Sequence, residues 1–307
     1  MAKIYSYILV ILLIGVTHSL TIAQTDIQQT NYMFNELSFN PAYTGSTNNL
    51  RATVLARKQW FGFDHSPLTQ TLCVDNATRF GGIGLNIIND QVGYERSLYA
   101  KLLYSYTAQF SDNTALTAGF AAGVIHRMLD GSQLEFQDET TTDPAAILDM
   151  QSGLKPTIDF GLQFLHKDFA IGVSSAHIQT SLQTATIFNM PRHFYGYAQY
   201  RIKAGEKLAF VPTVYAKSGS NVYQVEANTN IYFNKKFWLG ASYRLDESMV
   251  ALAGIIIKEQ LYIGYAYDFN VGDVSPYSYG SHEIFISFRK KPPTPQSGFY
   301  QSTRLFN

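Results

Sequence analysis

Hydrophobic and polar residues alternate with a period of two along most of the chain. In one late segment, for example, Leu261, Ile263 and Phe269 share one face, whereas Gly264 and Asp268 share the other. Such alternation is typical of β-strands with two unlike faces. It predicts fourteen strands, at residues 50–60, 68–76, 81–89, 97–110, 114–127, 156–166, 169–177, 192–203, 207–216, 221–233, 237–244, 249–257, 261–269 and 282–289.

The connections between these strands alternate between short and generally longer. The short ones lie at 77–80, 111–113, 167–168, 204–206, 234–236 and 258–260, and the others at 61–67, 90–96, 128–155, 178–191, 217–220, 245–248 and 270–281. A β-sandwich also alternates, but it gives no reason for loop lengths to sort in this way. Outer-membrane barrels have short periplasmic turns, longer extracellular loops and an even number of strands. The sequence therefore predicts an all-β fold, a single antiparallel transmembrane β-barrel of outer-membrane type with fourteen strands.

The N-terminus has the features of an export signal. Lys3 precedes the apolar run Ile4–Val16, which is shorter than the roughly 20 residues of a membrane-spanning helix. Thr21 and Ala23 place small residues where signal peptidase requires them, so cleavage is expected after Ala23. We expect a signal peptide at 1–23, an N-terminal periplasmic or plug segment at 24–49, the barrel at 50–290 and a tail at 291–307.

Composition agrees with a membrane barrel. The 307 residues carry 23 basic and 23 acidic side chains, and only 15% are charged, against about 25% in ordinary soluble domains. A neutral chain lacks the basic surface of a nucleic-acid-binding protein, so no nucleic acid partner is expected. Aromatic residues reach 14%, and those near strand ends, among them Tyr99, Tyr104, Tyr215 and Tyr243, are expected in the membrane-interface girdles.

Residue patterns for catalysis or cofactor binding are weak. The seven histidines form no HExxH or HxxH pair, and we expect no enzyme activity, cofactor or metal. His65 and Ser66 could serve as base and nucleophile of an outer-membrane hydrolase, but only the adjacent Asp64 could orient them. Four acidic residues of a long loop match no calcium-binding spacing and are interpreted as solvated: Asp138, Glu139, Asp143 and Asp149.

Seven ionisable residues fall inside predicted strands: Arg57, Asp75, Asp159, Glu226, Arg244, Asp268 and Glu283. A charge that faces lipid is costly, so these side chains should point into the barrel. They could pair with one another in a filled lumen, or they could line a channel. We favour pairing.

Nine short blocks follow one another in the order of a known family. They are Tyr32–Asn35, Phe39–Ser46, Arg57–Trp60, Ser66–Thr69, Gly82–Leu85, Asp90–Gly93, Trp238–Arg244, Ile263–Phe269 and Gly280–Ile284. Together these blocks resemble the PorP/SprF family of outer-membrane proteins of the type IX secretion system.

The resemblance implies an outer-membrane barrel, not an enzyme, that works with a secretion or gliding apparatus. Family members help to export a secreted adhesin-like cargo, or anchor it at the cell surface through its C-terminal signal domain. Some associate with periplasmic secretion-motor or peptidoglycan-binding components, and membrane lipid or lipopolysaccharide would surround the barrel. The alternative function is an outer-membrane diffusion channel for small hydrophilic or amphipathic solutes.

Two regions are candidates for contact with a partner. Tyr277 and Tyr279 beside Pro276 belong to a predicted extracellular loop, where aromatic side chains favour interfaces; a place in the membrane girdle is the alternative. The N-terminal segment could be a plug in or under the barrel, could bind a periplasmic partner, or could simply lead into the first strand. The residues expected to contact a partner are Tyr32, Phe34, Asn40, Pro41, Tyr43, Tyr277 and Tyr279.

Overall fold

The computed structural model describes residues 26–47, 49–134, 148–178, 190–219, 222–271 and 274–290. The strands are β1 Arg51–Lys58, β2 Leu68–Thr78, β3 Gly81–Val92, β4 Glu95–Ser111, β5 Thr114–Asp130, β6 Met150–His166, β7 Phe169–Ala176, β8 in two segments His193–Tyr200 and Ile202–Ala204, β9 Leu208–Gly219, β10 Val222–Phe233, β11 Phe237–Arg244, β12 Ser248–Ile257, β13 Leu261–Asn270 and β14 Ser281–Arg289. Each predicted strand is present, so the prediction of fourteen strands is confirmed.

The strands form one closed antiparallel sheet. Each pairs with its neighbours in sequence, and both segments of β8 pair with β9. The barrel closes between the first and last strands, where Arg51 lies opposite Arg289 and Lys58 opposite His282. Closure leaves no free sheet edge, as a lipid environment requires.

The two faces of the sheet differ as the alternation predicted. In β5, Leu116 and Phe120 are exposed on the outside, whereas Thr117 and Ala121 are buried inside. The seven predicted lumen charges are all buried. Two girdle assignments were wrong, because the side chains of Tyr99 and Tyr215 face inward and are buried, while Tyr104 and Tyr243 are exposed on the outside as expected.

The short connections lie at one end of the barrel and the generally longer ones at the other. We call the end with the longer connections the loop end, which is extracellular in outer-membrane barrels, and the other the turn end. One predicted loop, 90–96, is reduced to Gly93 and Tyr94, because β3 and β4 extend to Val92 and Glu95. Long strands paired over this stretch leave only a tight turn, with Gly93 at a positive φ of 61°.

The segment 26–47 runs through the barrel interior, and we call it the inner segment. Its first described residue, Asp26, contacts His193 at the loop end, and Gly45 contacts Asp75 in β2. Short 3-10 turns occur at Tyr32–Phe34, Glu36–Ser38 and Pro41–Tyr43, and in loops at Gly131–Gln133 and Ser275–Tyr277. The chain therefore crosses the lumen from the loop end before β1 begins at the turn end.

Three sequence predictions lie outside the described residues. They are the signal peptide at 1–23, the tail at 291–307, and three acidic loop residues, Asp138, Glu139 and Asp143. Across the described ranges, no helix is both long enough and apolar enough to cross a membrane.

Candidate functional site

A buried network of charges lies at the centre of the lumen. Arg244 lies 2.9 Å from both Glu226 and Asp268. Arg57 lies 2.9 Å from the same Asp268 and 3.6 Å from Glu283. Opposite charges thus alternate across five strands, and pairing of this kind is what makes buried charge tolerable.

The inner segment completes this network. The backbone amides of Thr30 and Asn31 donate to Glu283 at 2.8 and 2.6 Å. The Thr30 hydroxyl donates to Asp268 and accepts from Arg57 at 2.7 Å. The segment therefore supplies hydrogen bonds that the strand side chains need, and the interpretation that the lumen charges pair with one another is supported.

A second set of ionic contacts binds the inner segment to β1 and β2. Arg51 lies 3.0 Å from Glu36 of the segment and 2.8 Å from Asp75. Asp75 also accepts a hydrogen bond from the amide of Gly45 at 2.7 Å. Both the first and the last strand of the barrel thus bind the inner segment through buried charges.

Aromatic rings fill the space between these networks. Tyr32 stacks on Tyr215 with ring centroids 4.5 Å apart. Phe34 packs against Phe285 at 4.6 Å and Trp238 at 4.7 Å. Offset aromatic pairs of this kind add to the stabilisation from burial. The interior is therefore a packed core rather than a water-filled tube.

Glycines of the strands make room for the turn at Pro41–Tyr43. A Cβ built on Gly161 would overlap the side chain of Asn40, and one built on Gly119 would overlap the backbone of Pro41. The Asn40 amide in turn donates to the carbonyl of Leu162 at 3.2 Å. These two strand glycines therefore leave the space that the inner segment occupies.

One of the spaces left beside the segment is a small cavity. A cavity of about 20 Å³ lies among Asp26, Phe39, Tyr99 and Tyr215. This is close to the minimum that holds one water molecule. The cavity is far too small for the solutes of a general diffusion channel.

A larger cavity opens at the loop end, and we call it the vestibule. Its volume is about 610 Å³, and residues Asp26–Gln28 of the inner segment are among those that line it. Its walls include Trp60, Tyr94, Met190 and an ion pair in which Arg127 Nε lies 2.9 Å from Glu95. The mixture of apolar surface with a few oriented polar groups suits binding of a ligand or a polypeptide.

Beside the vestibule, two loops carry a patch of exposed aromatic side chains. Phe61, Phe63, Tyr277 and Tyr279 are respectively 52%, 41%, 72% and 75% exposed. The loops are joined by backbone hydrogen bonds from Phe61 to Gly280 and from Tyr279 to Phe61. We call these four residues the aromatic patch. Phe61 and Phe63 were not predicted, because only the structure pairs their loop with residues 274–280.

Asp26 and His193 lie at the floor of the vestibule, where they meet His177, which lines the small cavity beside the inner segment. Their candidate donor atoms all lie within 4.8 Å of one another. Burial alone would raise the pKa of the Asp26 carboxyl, but the adjacent His177 opposes this and holds the pKa well below its usual value. This cluster was not predicted from the sequence, although the end of β7 and the start of β8 necessarily lie side by side, which could have indicated the two histidines.

A cavity of about 290 Å³ lies at the turn end. Tyr232 and Tyr262 line it together with four basic residues, Arg201, Lys203, Lys207 and Lys235, and two acidic residues, Glu206 and Glu259. Basic side chains beside aromatic rings offer a site for an anionic group.

The residues predicted to contact a partner fall into two groups. Tyr32, Phe34, Asn40, Pro41 and Tyr43 are buried within the barrel. Tyr277 and Tyr279 are exposed at the loop end. The structure does not bring the two groups together, so a partner at the loop end would reach only the second.

His65 and Ser66 do not form the contact that a hydrolase would need. The Ser66 side chain is buried, while His65 Nε2 lies 3.4 Å from the hydroxyl of Tyr94.

Comparison with known proteins gives one family and a set of similar folds. Residues 21–288 match the family model described as type IX secretion system membrane protein PorP/SprF. The CymD monoaromatic hydrocarbon channel is similar with a TM-score of 0.53 and 11% identity, over 89% of this chain and 95% of that one. The Ralstonia pickettii toluene transporter TbuX gives 0.51 and 12%, over 88% and 95%. No curated protein matches by sequence.

Proposed function

Because the chain belongs to the PorP/SprF family of type IX secretion system membrane proteins, we propose that it serves secretion as a docking barrel. In this proposal it helps to export a secreted adhesin-like cargo, or anchors that cargo at the cell surface. The cargo is held through its C-terminal signal domain. No step of this function requires catalysis.

The filled lumen carries the proposal. The inner segment is tied to the barrel wall by buried ion pairs and aromatic packing, including Arg51–Glu36 and Phe34–Trp238. A diffusion channel needs a continuous water-filled path, whereas a docking protein needs a stable scaffold. The packed interior supports the second role.

The loop end is the proposed docking surface. The aromatic patch exposes large rings, and aromatic residues commonly contribute most to the free energy of protein–protein binding. The vestibule beside it has room for a chain end or a few side chains of the cargo. We propose that the cargo packs on the aromatic patch and inserts a short element into the vestibule.

Periplasmic components would bind at the opposite end. The turn-end cavity is lined by four basic and two acidic residues, and this excess of positive charge would attract an acidic surface. We propose this end for contact with secretion-motor or peptidoglycan-binding components.

Affinity purification from detergent-solubilised outer membrane, followed by mass spectrometry, tests the function. We expect a large secreted protein to co-purify with the wild-type barrel. The double variant Tyr277→Ala/Tyr279→Ala should recover much less of it. Tyr223→Ala is the matched control, because Tyr223 is 68% exposed near the loop end but lies outside the aromatic patch.

The outcomes separate the function from the docking surface. Recovery of the wild-type barrel alone would contradict the docking function. Equal recovery of cargo by the double variant and by Tyr223→Ala would keep the function but reject the aromatic patch as its site, and would favour a membrane-girdle role for these tyrosines.

A further inference from the structure

The vestibule floor brings together three side chains that commonly bind metal ions. His177 follows the end of β7, His193 opens β8, and Asp26 comes from the inner segment. Because β7 and β8 pair antiparallel, with Ala176 opposite His193, the two histidines are neighbours at the loop end. The cluster therefore joins the barrel wall to a segment distant in sequence.

The spacing of the donor atoms suits a small tetrahedral ion. Asp26 Oδ2 lies 3.3 Å from His177 Nε2, and the donor atoms of all three residues lie within 4.8 Å of one another. Two ligands of a tetrahedral zinc ion, each about 2.0–2.1 Å from the metal, are about 3.3 Å apart. One edge of the tetrahedron already has this length, and the remaining separation requires only a small side-chain movement.

Hydrogen bonds orient both imidazole rings. His193 Nδ1 lies 3.1 Å from the carbonyl oxygen of Pro191, and His177 Nδ1 lies 3.1 Å from the hydroxyl of Thr157. Metal-binding histidines usually use one ring nitrogen in this way, which leaves the other for the metal. Here it leaves Nε2 of each ring facing Asp26.

The polar surroundings are compatible with a cation. Tyr195 donates to the Asp26 carboxylate, and the Lys217 ammonium binds the Asp26 carbonyl at 3.0 Å rather than the carboxylate. His193 Nε2 accepts from the Asp26 amide at 3.1 Å, a contact that a metal would replace. Asp26 and His193 line the vestibule, so an ion can enter from the loop end.

We propose that Asp26, His177 and His193 bind one Zn²⁺ ion that ties the inner segment to β7 and β8. Two imidazole nitrogens and one carboxylate oxygen are a donor set that zinc prefers. Water from the vestibule occupies the fourth position. This site is independent of the proposed docking function, because it requires neither cargo nor the aromatic patch.

Zinc binding to the purified, folded, tag-free chain tests the site. The protein is stripped with a chelator and titrated with Zn²⁺ in competition with a zinc-sensitive dye, and bound metal is measured by mass spectrometry. We expect one zinc per chain. Asp26→Asn and His193→Gln should each weaken binding by at least about 100-fold, since even loss of a hydrogen bond to a ligand weakens metal sites by about 10- to 100-fold.

His65→Gln is the matched control, because this histidine also lies at the loop end but outside the cluster. It should bind zinc as the wild type does. Absence of stoichiometric zinc, or equal affinity in Asp26→Asn, His193→Gln and the wild type, would overturn the proposal. If a variant does not fold, the wild type decides the question by its Co²⁺ spectrum: strong tetrahedral absorption supports the site, and a weak octahedral spectrum rejects it.

Discussion

The side chain of Asn40 occupies the space that any side chain at Gly161 would need. Asn40 belongs to the inner segment and Gly161 to β6, and the Asn40 amide donates to the carbonyls of Leu162 and Val173 on two neighbouring strands. The contact fixes how closely the segment approaches the wall. An added methyl group at this point should therefore disturb the packing of the inner segment against the barrel wall.

Gly161→Ala should destabilise the barrel through overpacking. The added Cβ would overlap Asn40, and excess volume in a packed core typically costs about 1–3 kcal/mol. We expect a lower midpoint for urea unfolding, measured by the loss of the compact band on unheated gels. Gly196→Ala is the control, because a Cβ there would meet no atom within 4 Å. Equal midpoints for the two variants would show that the segment does not press on β6.

Arg244→Met should be strongly destabilising. It would leave the buried carboxylates of Glu226 and Asp268 without a shared partner, and breaking a buried pair costs about 3–5 kcal/mol. Equilibrium unfolding in detergent or lipid measures the loss. Lys203→Met is the comparison, since Lys203 is 59% exposed and 3.8 Å from Asp168, and such surface pairs contribute less than about 1 kcal/mol. A similar small loss in both variants would contradict a stabilising role for the central network.

Phe34→Ala should loosen the inner segment. The ring is fully buried against Trp238 and Phe285, and removal of a buried phenylalanine ring costs about 3–5 kcal/mol. Unfolding midpoints measure this, with Tyr277→Ala as control, because Tyr277 is 72% exposed. The control should change stability by less than about 0.5 kcal/mol. A Phe34→Ala barrel as stable as the control would indicate that the segment is not part of the core.

Deletion of residues 24–40 with the signal retained should open the lumen. The wild type should give no sustained conductance in planar bilayers, because aromatic rings and ion pairs fill its interior. The deleted barrel should conduct, and cargo attachment should be lost if the segment matters for docking. Normal barrel levels confirm that the variant folds. Sustained conductance of the wild type would favour the diffusion-channel alternative, and unchanged surface cargo would show that docking does not need the segment.

The regular part of the fold could be predicted from sequence because each strand contributes one inward and one outward face. The period of two located all fourteen strands, and the cost of exposing charge to lipid placed residues such as Arg57 and Glu283 inside. The face on which an aromatic residue lies was harder to predict. A tyrosine near a strand end can face lipid or the core, and Tyr99 and Tyr215 face the core because the inner segment gives them partners there.

The candidate sites depend on tertiary contacts that the alternation of hydrophobic and polar residues does not predict. His177 is 151 residues from Asp26, and only the path of the inner segment brings them together. The aromatic patch similarly depends on two loops that meet through backbone hydrogen bonds of Phe61 with Tyr279 and Gly280. Irregular segments are positioned by side-chain partners, which a single sequence does not identify.

The inner segment contacts β1 and β14, the two strands whose pairing closes the barrel. Arg51 of β1 forms an ion pair with Glu36, and Glu283 of β14 accepts hydrogen bonds from the backbone amides of Thr30 and Asn31. This stretch therefore bridges the seam of the barrel through side-chain contacts that add to the backbone pairing between β1 and β14.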